Sequence, residues 1–213
     1  MGWLLVVLVV SGGLAAVLLA FRRWQAHWGA SRQEVARSMP GDEWVPSPDY
    51  ETTRAVTVHA RPEDVYPWLV QMGWKRGGLY SYDCLDRLFG MLDHDSVPRV
   101  LPELQKLEAG DLIPLKKGSP FPVRALERDS YLVLAGEEGG FRWTWQTALY
   151  PLSKDECRFV TRNRATVPRG VLPRLQMIWL DLAAFIMVRK WLLNIRGLAE
   201  RLAEERRAQL GSA

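Results

Sequence analysis

The sequence predicts an α+β fold: an antiparallel sheet covered on one face by a long C-terminal helix, preceded by one transmembrane helix. Three observations carry this expectation. Residues Trp3 to Phe21 form a run with no charged side chain. From Gly110 to Thr166 apolar residues alternate with polar ones, the period of a strand. From Leu172 to about Gln209 they recur at steps of three and four, the period of a helix.

The first element is the apolar run, "WLLVVLVVSGGLAAVLLAF", whose only polar side chain is Ser11. At ~1.5 Å per residue it makes a helix of roughly 28 Å, close to the hydrocarbon thickness of a bilayer. Trp3 and Trp24 flank it as interface anchors would, and Arg22-Arg23 stop it. A cleaved signal peptide would want a basic stretch before Trp3 and a shorter apolar core. The run therefore reads as an uncleaved, single-pass anchor in the cell membrane. The basic pair after the span places the bulk of the chain in the cytoplasm.

A connector follows over residues 25–52. Ser31 with Glu34 three residues on is a capping-box pattern, predicting a short helix to about Met39. Pro40-Gly41, Pro46 and Pro48 then break regular structure, and the segment is expected to pack on the domain. Residues 53–210 make up that domain, after an anchor over 1–24. "TRAVTVHA", Thr53 to Ala60, is β-branched and alternating, hence a strand. "RPEDVYPWLVQM" opens like a helix with Pro62 and two acids, and Pro67 within it predicts a kink or a break. Tyr82 to Met91 reads as a second short helix.

Five strands are expected next, in "DLIPL", "PVRALERD", "YLVLAG", "FRWTWQTALYPL" and "ECRFVTRNRAT". Phe141, Trp143, Trp145, Thr147 and Leu149 share one face, which is aromatic; the other face is polar. Arg158, Arg162 and Arg164 alternate and suit a solvated outer face. In the last helix Met177, Leu180, Ala184, Met187, Trp191, Ile195, Leu198 and Leu202 form one stripe. Between Met177 and Val188 it is apolar all round except at Asp181. That segment is too short for a second span and suits a helix buried in protein.

Composition excludes several classes. The 28 basic and 24 acidic residues are interleaved, so no nucleic-acid surface is expected. Mild attraction to anionic lipid headgroups accounts for the net charge of +4. Cys84 and Cys157 lie far apart, and His27, His59 and His94 are scattered, so neither a disulfide framework nor a metal site is indicated. No cofactor motif is present: "GWKRGG" matches neither GxxxxGK[ST] nor a dinucleotide fingerprint. Ten tryptophans are many for 213 residues and favour pockets, interfaces and membrane edges.

The segments "PEDVYPWLVQMGWKRGGLYSYD", "EAGDLIPL" and "AFIMVRKWLLNIRGLAERL" resemble bacterial members of the SRPBCC superfamily, also called START-like or birch-pollen-allergen-like, in the subgroup labelled polyketide cyclase/dehydrase-like. The resemblance implies a helix-grip fold. In it a curved antiparallel sheet wraps around the long C-terminal helix, and an apolar cavity lies between them. It also implies that the two short helices close one end of the cavity. Superfamily functions range from lipid carriers to cyclases, so function rests on the residues.

Two readings stand for the stretch Gln71 to Gly90. Its glycines turn the chain between two helices, with Lys75 and Arg76 in solvent. Alternatively it forms a pocket mouth, with Tyr80, Tyr82 and Asp83 offering polar contacts to a ligand. Asp181 shares a helix face with Ile178, Phe185, Val188 and Leu192. A buried carboxylate there must meet a donor, water or a ligand, so it is either paired with an arginine or tyrosine or used in the site. His94, between Asp93 and Asp95, reads as part of a solvated loop.

These residues give a functional expectation. Phe141, Trp143, Trp145 and Phe185 desolvate a hydrophobic small molecule or lipid, while Tyr80, Tyr82, Asp83 and Asp181 fix its polar end, without catalysis. An enzyme of cyclase or dehydratase type would use Asp181 or Asp83 as acid/base. A structural partner of another membrane protein would use Ser11 and Ala15 as a small-residue contact; no protein partner is named by the sequence. Asp181→Asn is expected to separate a carrier, which tolerates it, from an acid/base enzyme, which does not.

Overall fold

The structure, a computed structural model, describes residues 2–211; of these, the side chains at 2, 4, 5, 8, 15, 174, 175, 178, 210 and 211 are not described. Helix α1 (Gly2–Ala26) leads into α2 (Arg32–Ala36), strand β1 (Tyr50–Val58), α3 (Pro62–Val70) and α4 (Asp83–Leu88). Strands β2 (Leu112–Lys116), β3 (Ser119–Glu127), β4 (Tyr131–Glu138), β5 (Phe141–Ser153) and β6 (Glu156–Ala165) follow, and α5 (Val171–Gly211) ends the chain. The six strands form one antiparallel sheet in the order β1-β6-β5-β4-β3-β2. The segment carrying α3 and α4 thus connects the two edges, because β1 pairs with the last strand rather than the next one.

The local sequence accounts for most boundaries. The capping box forms as expected: Ser31 Oγ accepts from the Glu34 amide at 3.1 Å, and Glu34 Oε2 accepts from the Ser31 amide at 2.8 Å. The two-residue turn between β4 and β5 is Gly139-Gly140, both with positive φ, as a tight hairpin of this hand requires. β1 starts three residues before the expected Thr53, because Tyr50, Glu51 and Thr52 find partners on β6 that local sequence cannot show. The break expected at Pro67 does not occur. The helix runs through to Val70 with Val65, Trp68 and Leu69 buried, and the bond lost to the ring would have gone to the carbonyl of Glu63, an exposed residue.

The inner face of the sheet packs on the C-terminal half of α5. Leu192, Ile195, Ala199 and Ala203 are fully buried, and Trp191 makes edge contacts with Trp145 at 5.2 Å and Phe159 at 5.1 Å. Burial of these side chains, at about 1.5–3 kcal/mol for each large one, is the main force closing helix on sheet.

The outer face is not solvated, contrary to the sequence expectation for its arginines. Residues 31–45 lie across it, with Met39 buried against Ala55, Ala148 and Val160, and Val45 buried as well. Arg158 pairs with Glu34 at 2.7 Å, Arg164 with Glu51 at 2.6 Å, and Arg162, 1% exposed, with Asp42 at 2.8 Å. Alternation marked the face correctly, but an overlying segment distant in sequence decides what that face meets.

α5 also departs from expectation in its N-terminal half. Trp179, Leu180 and Ile186 are 72%, 61% and 52% exposed, so this is not a helix buried in protein. The sheet meets only the side of the helix that carries Asp181 and Phe185. Among the described residues no helix is long and apolar enough to cross a membrane. The side chains at 4, 5, 8 and 15 of the expected span, including the Ala15 of the small-residue contact, lie outside the described residues.

Candidate functional site

A cavity of about 250 Å³ opens between α5 and the sheet, walled by Phe121, Phe141, Trp143 and Trp145 on the strands and by Met177, Leu180, Ala184 and Val188 on the helix. Phe121 packs on Trp143 with ring centroids 4.2 Å apart and planes tilted by 41°, and Trp145 donates its indole N–H to Thr161 at 3.0 Å. Tyr50, Arg54, Asn163, Arg164 and Asp181 give it a polar side. The sheet's alternation puts the three expected aromatic residues on this wall, and helical spacing brings Asp181 to it.

Asp181 is 3% exposed and fully engaged. Arg54 Nη2 donates to Oδ1 at 3.0 Å, the Tyr50 hydroxyl donates to the same oxygen at 2.5 Å, and the Gln25 amide nitrogen donates to Oδ2. Arg54 also donates to the Gln25 backbone and side-chain carbonyls, both at 2.9 Å. Burial, and then the neighbouring carboxylate, push the Tyr50 phenol well above its ordinary value, so it stays protonated and serves as a donor. The arginine-or-tyrosine pairing weighed for Asp181 takes both forms at once. One nitrogen of the cluster, Arg54 Nη1, is buried and has no partner.

The other expected ligand residues lie elsewhere. Phe185 and Tyr82 line a groove between α1 and α5 with Phe21, Trp24 and Trp28. Tyr80 and Asp83 border a third, shallow cavity of about 260 Å³ beside Ser96 and Asn194. Their polar atoms are already used: Asp83 accepts from the Ser96 amide at 3.0 Å and hydroxyl at 2.7 Å, while the Tyr80 hydroxyl accepts from Gln71 and donates to the Val97 carbonyl at 3.2 Å.

The stretch Gln71 to Gly90 is thus a turn braced from within. Gly73 and Gly78 exchange backbone bonds of 2.9 and 3.2 Å, and a Cβ on Gly78 would stand 2.6 Å from Ser96 Cα. Lys75 is exposed, but Arg76 is half-buried and donates to the Val70 and Met72 carbonyls at the end of α3. His94 pairs with Asp93 at 2.9 Å on the surface. No group of three or more metal-ligating side chains occurs among the described residues.

Sequence reasoning missed Gln25, Arg54 and Asp86. Gln25 and Arg54 carry no local signal, since their partners lie up to 156 positions away. Asp86 is fully buried on α4, with Oδ2 accepting from the Ser81 hydroxyl at 2.7 Å and Oδ1 unpartnered. Burial, and then the nearby Asp83, raise its pKa. A folded pKa above the unfolded value means the native state binds this proton more tightly. Its contribution to stability therefore falls as pH rises from the unfolded value, about 4, through the raised one. Asp86→Asn is expected to gain in melting temperature over wild type as pH rises from 4 to 8, measured by thermal scans at each pH. A constant difference would remove the role of this proton.

No family model matches the chain, and no curated protein matches it. Solved structures of similar shape exist at low identity. A hypothetical protein of Helicobacter pylori is 16% identical with a TM-score of 0.45, covering 76% of this chain and 95% of its own. A Mesorhizobium loti protein is 12% identical with a TM-score of 0.41, covering 71% and 98%. An aromatase/cyclase of Streptomyces is 15% identical with a TM-score of 0.39, covering 71% and 94%. Likeness at this level says nothing about chemistry.

Proposed function

We propose that the chain binds a hydrophobic small molecule or lipid bearing an acceptor oxygen, in the cavity between α5 and the sheet, and does no chemistry on it. The observation that carries this reading is Arg54. A buried guanidinium nitrogen without a partner is costly, and Arg54 borders an aromatic cavity where a carbonyl or carboxylate could meet it. The aromatic and aliphatic walls supply desolvation, and the volume suits one ring or a short length of chain, below the ~300 Å³ where drug-sized sites begin.

The acid/base alternative finds no support in the geometry. Both oxygens of Asp181 are engaged by protein donors, and both oxygens of Asp83 are engaged by Ser96. Neither carboxylate is free to move a proton to or from a bound molecule.

The same proposal places the domain at a membrane, held by α1, with its bulk on the cytoplasmic side. α1 is a continuous helix of 25 residues, and Val6, Val7, Val9 and Leu19 stand exposed on different sides of it. Tethering would keep the cavity within reach of membrane-dissolved ligand.

The test is solvent extraction of the full chain, purified in detergent and washed, compared with Ala184→Trp. Ala184 lines the cavity, so the indole should fill it. A hydrophobic acid or carbonyl compound recovered in near-stoichiometric amount from wild type and lost from Ala184→Trp is the expected result. Equal recovery from both, or none from either, overturns the reading.

A further inference from the structure

α5 has a second face that the cavity does not use. Leu172, Gln176, Trp179, Ala183 and Ile186 recur at steps of four and three residues, one stripe on an α-helix. All five are exposed, Leu172 at 67%. The opposite face carries Asp181 and Phe185, both buried. At the C-terminal end of the stripe Ile186 lines a groove shared with Phe21 and Trp24 of α1, themselves 45% and 54% exposed. Large exposed apolar side chains grouped on one face, Leu172, Trp179 and Ile186 with a single polar Gln176 among them, mark an interaction site rather than ordinary solvent exposure.

Charge identifies the occupant. Residues 1–26 and 166–199 together hold seven Lys or Arg and one acid, Asp181, while the whole chain holds 28 and 24. The entire positive excess of the protein therefore belongs to this pole, and its one acid is buried and paired. Two copies packed stripe to stripe would bring these cations together, whereas anionic headgroups would complement them. Trp, Leu and Ile on one face, with Arg169, Arg189 and Lys190 close by, is the makeup of a helix lying at the headgroup–acyl boundary.

We propose that the outward stripe of α5, from Leu172 to Ile186, lies against an anionic lipid bilayer beside α1. The contact requires no helix that crosses the bilayer. It also sets the route to the cavity: Leu180, 61% exposed, borders the stripe and lines the cavity with Met177 and Ala184. A molecule dissolved in the bilayer meets the rim without crossing water. This entry route rests on the cavity reading above; the contact itself does not.

Nitroxide labels on the full chain test it. Cys84 is exposed and is replaced by serine, while Cys157 is buried. Single cysteines are then placed by Trp179→Cys, Ile186→Cys and, as a control, Leu152→Cys on β5, exposed at 54%. Each protein is reconstituted into vesicles of phosphatidylethanolamine and phosphatidylglycerol. At 179 and 186 collisions with oxygen should exceed those with a water-soluble nickel chelate, and at 152 the order should reverse. Labels at 179 and 186 that behave like 152 overturn the contact. So do labels shielded from both reagents and broadened by spin–spin coupling, which would mean a second copy on the stripe. Lipid-exposed labels with an empty extraction would sink the cavity reading and keep the contact; the converse result would do the opposite.

Discussion

Asp181→Ala should destabilise the full-length protein by about 3–5 kcal/mol, because it leaves the Arg54 guanidinium buried without a counter-charge. The two side chains are 1% and 2% exposed and meet at 3.0 Å. The loss should extend to Tyr50 and Gln25, which would each keep a buried polar group with no acceptor. Denaturant unfolding followed by tryptophan emission measures it. Asp181→Leu combined with Arg54→Met should recover most of the loss, since a buried pair replaced by apolar side chains of similar volume is often neutral. If the single substitution costs no more than a surface change, the cluster is not the joint between α1, β1 and α5 that its bonds describe.

The same cluster changes how Asp181→Asn must be read. A carrier was expected to tolerate that substitution and an acid/base enzyme to lose only turnover. With Arg54 as partner, the asparagine variant removes a charge from a buried pair and weakens the fold in either case. Function is better probed from the cavity wall, at Ala184, where no hydrogen bond is at stake. For a related reason the function is tested on the full chain: removing α1 would remove Gln25, fully buried and bonded to Arg54 and Asp181.

What the sequence made legible was whatever depends on local periodicity. The six strands, the capping box at Ser31, the two short helices and the long last helix follow from spacing and turn residues within a few positions of each other. The aromatic wall of the cavity follows too, because Phe141, Trp143 and Trp145 lie on one strand two residues apart. What depends on a third layer was hidden. The arginines of β6 alternate as surface residues do, and only the arrival of residues 31–45 from more than a hundred positions away turns their face into an interior. Tyr80 and Asp83 look like ligand contacts until Gln71, at the head of the same stretch, and Ser96, from beyond it, take their bonds. The error at α5 has the opposite cause. A helix apolar on all sides suggests burial on all sides, but the sheet is wide enough to cover only one.

The arginine that closes the outer layer should be as costly to remove as the cluster at Asp181. Arg162 uses all five of its N–H donors: Nε to Thr53 Oγ1, Nη1 to the Arg37 carbonyl and Asp42, and Nη2 to the carbonyls of Glu34 and Val35, at 2.8–3.0 Å. Three of these acceptors are backbone groups at and after α2, a helix too short to hold itself. Arg162→Ala should therefore cost about 3–5 kcal/mol and free residues 31–48, seen as new protease cuts in that segment before global unfolding. Arg162→Lys should restore only a minor part, because an ammonium offers three donors from one point where the acceptors are spread along a fork. Full rescue by lysine would mean that charge opposite Asp42 is enough, and that the geometry of the fork is incidental to how the connector is held.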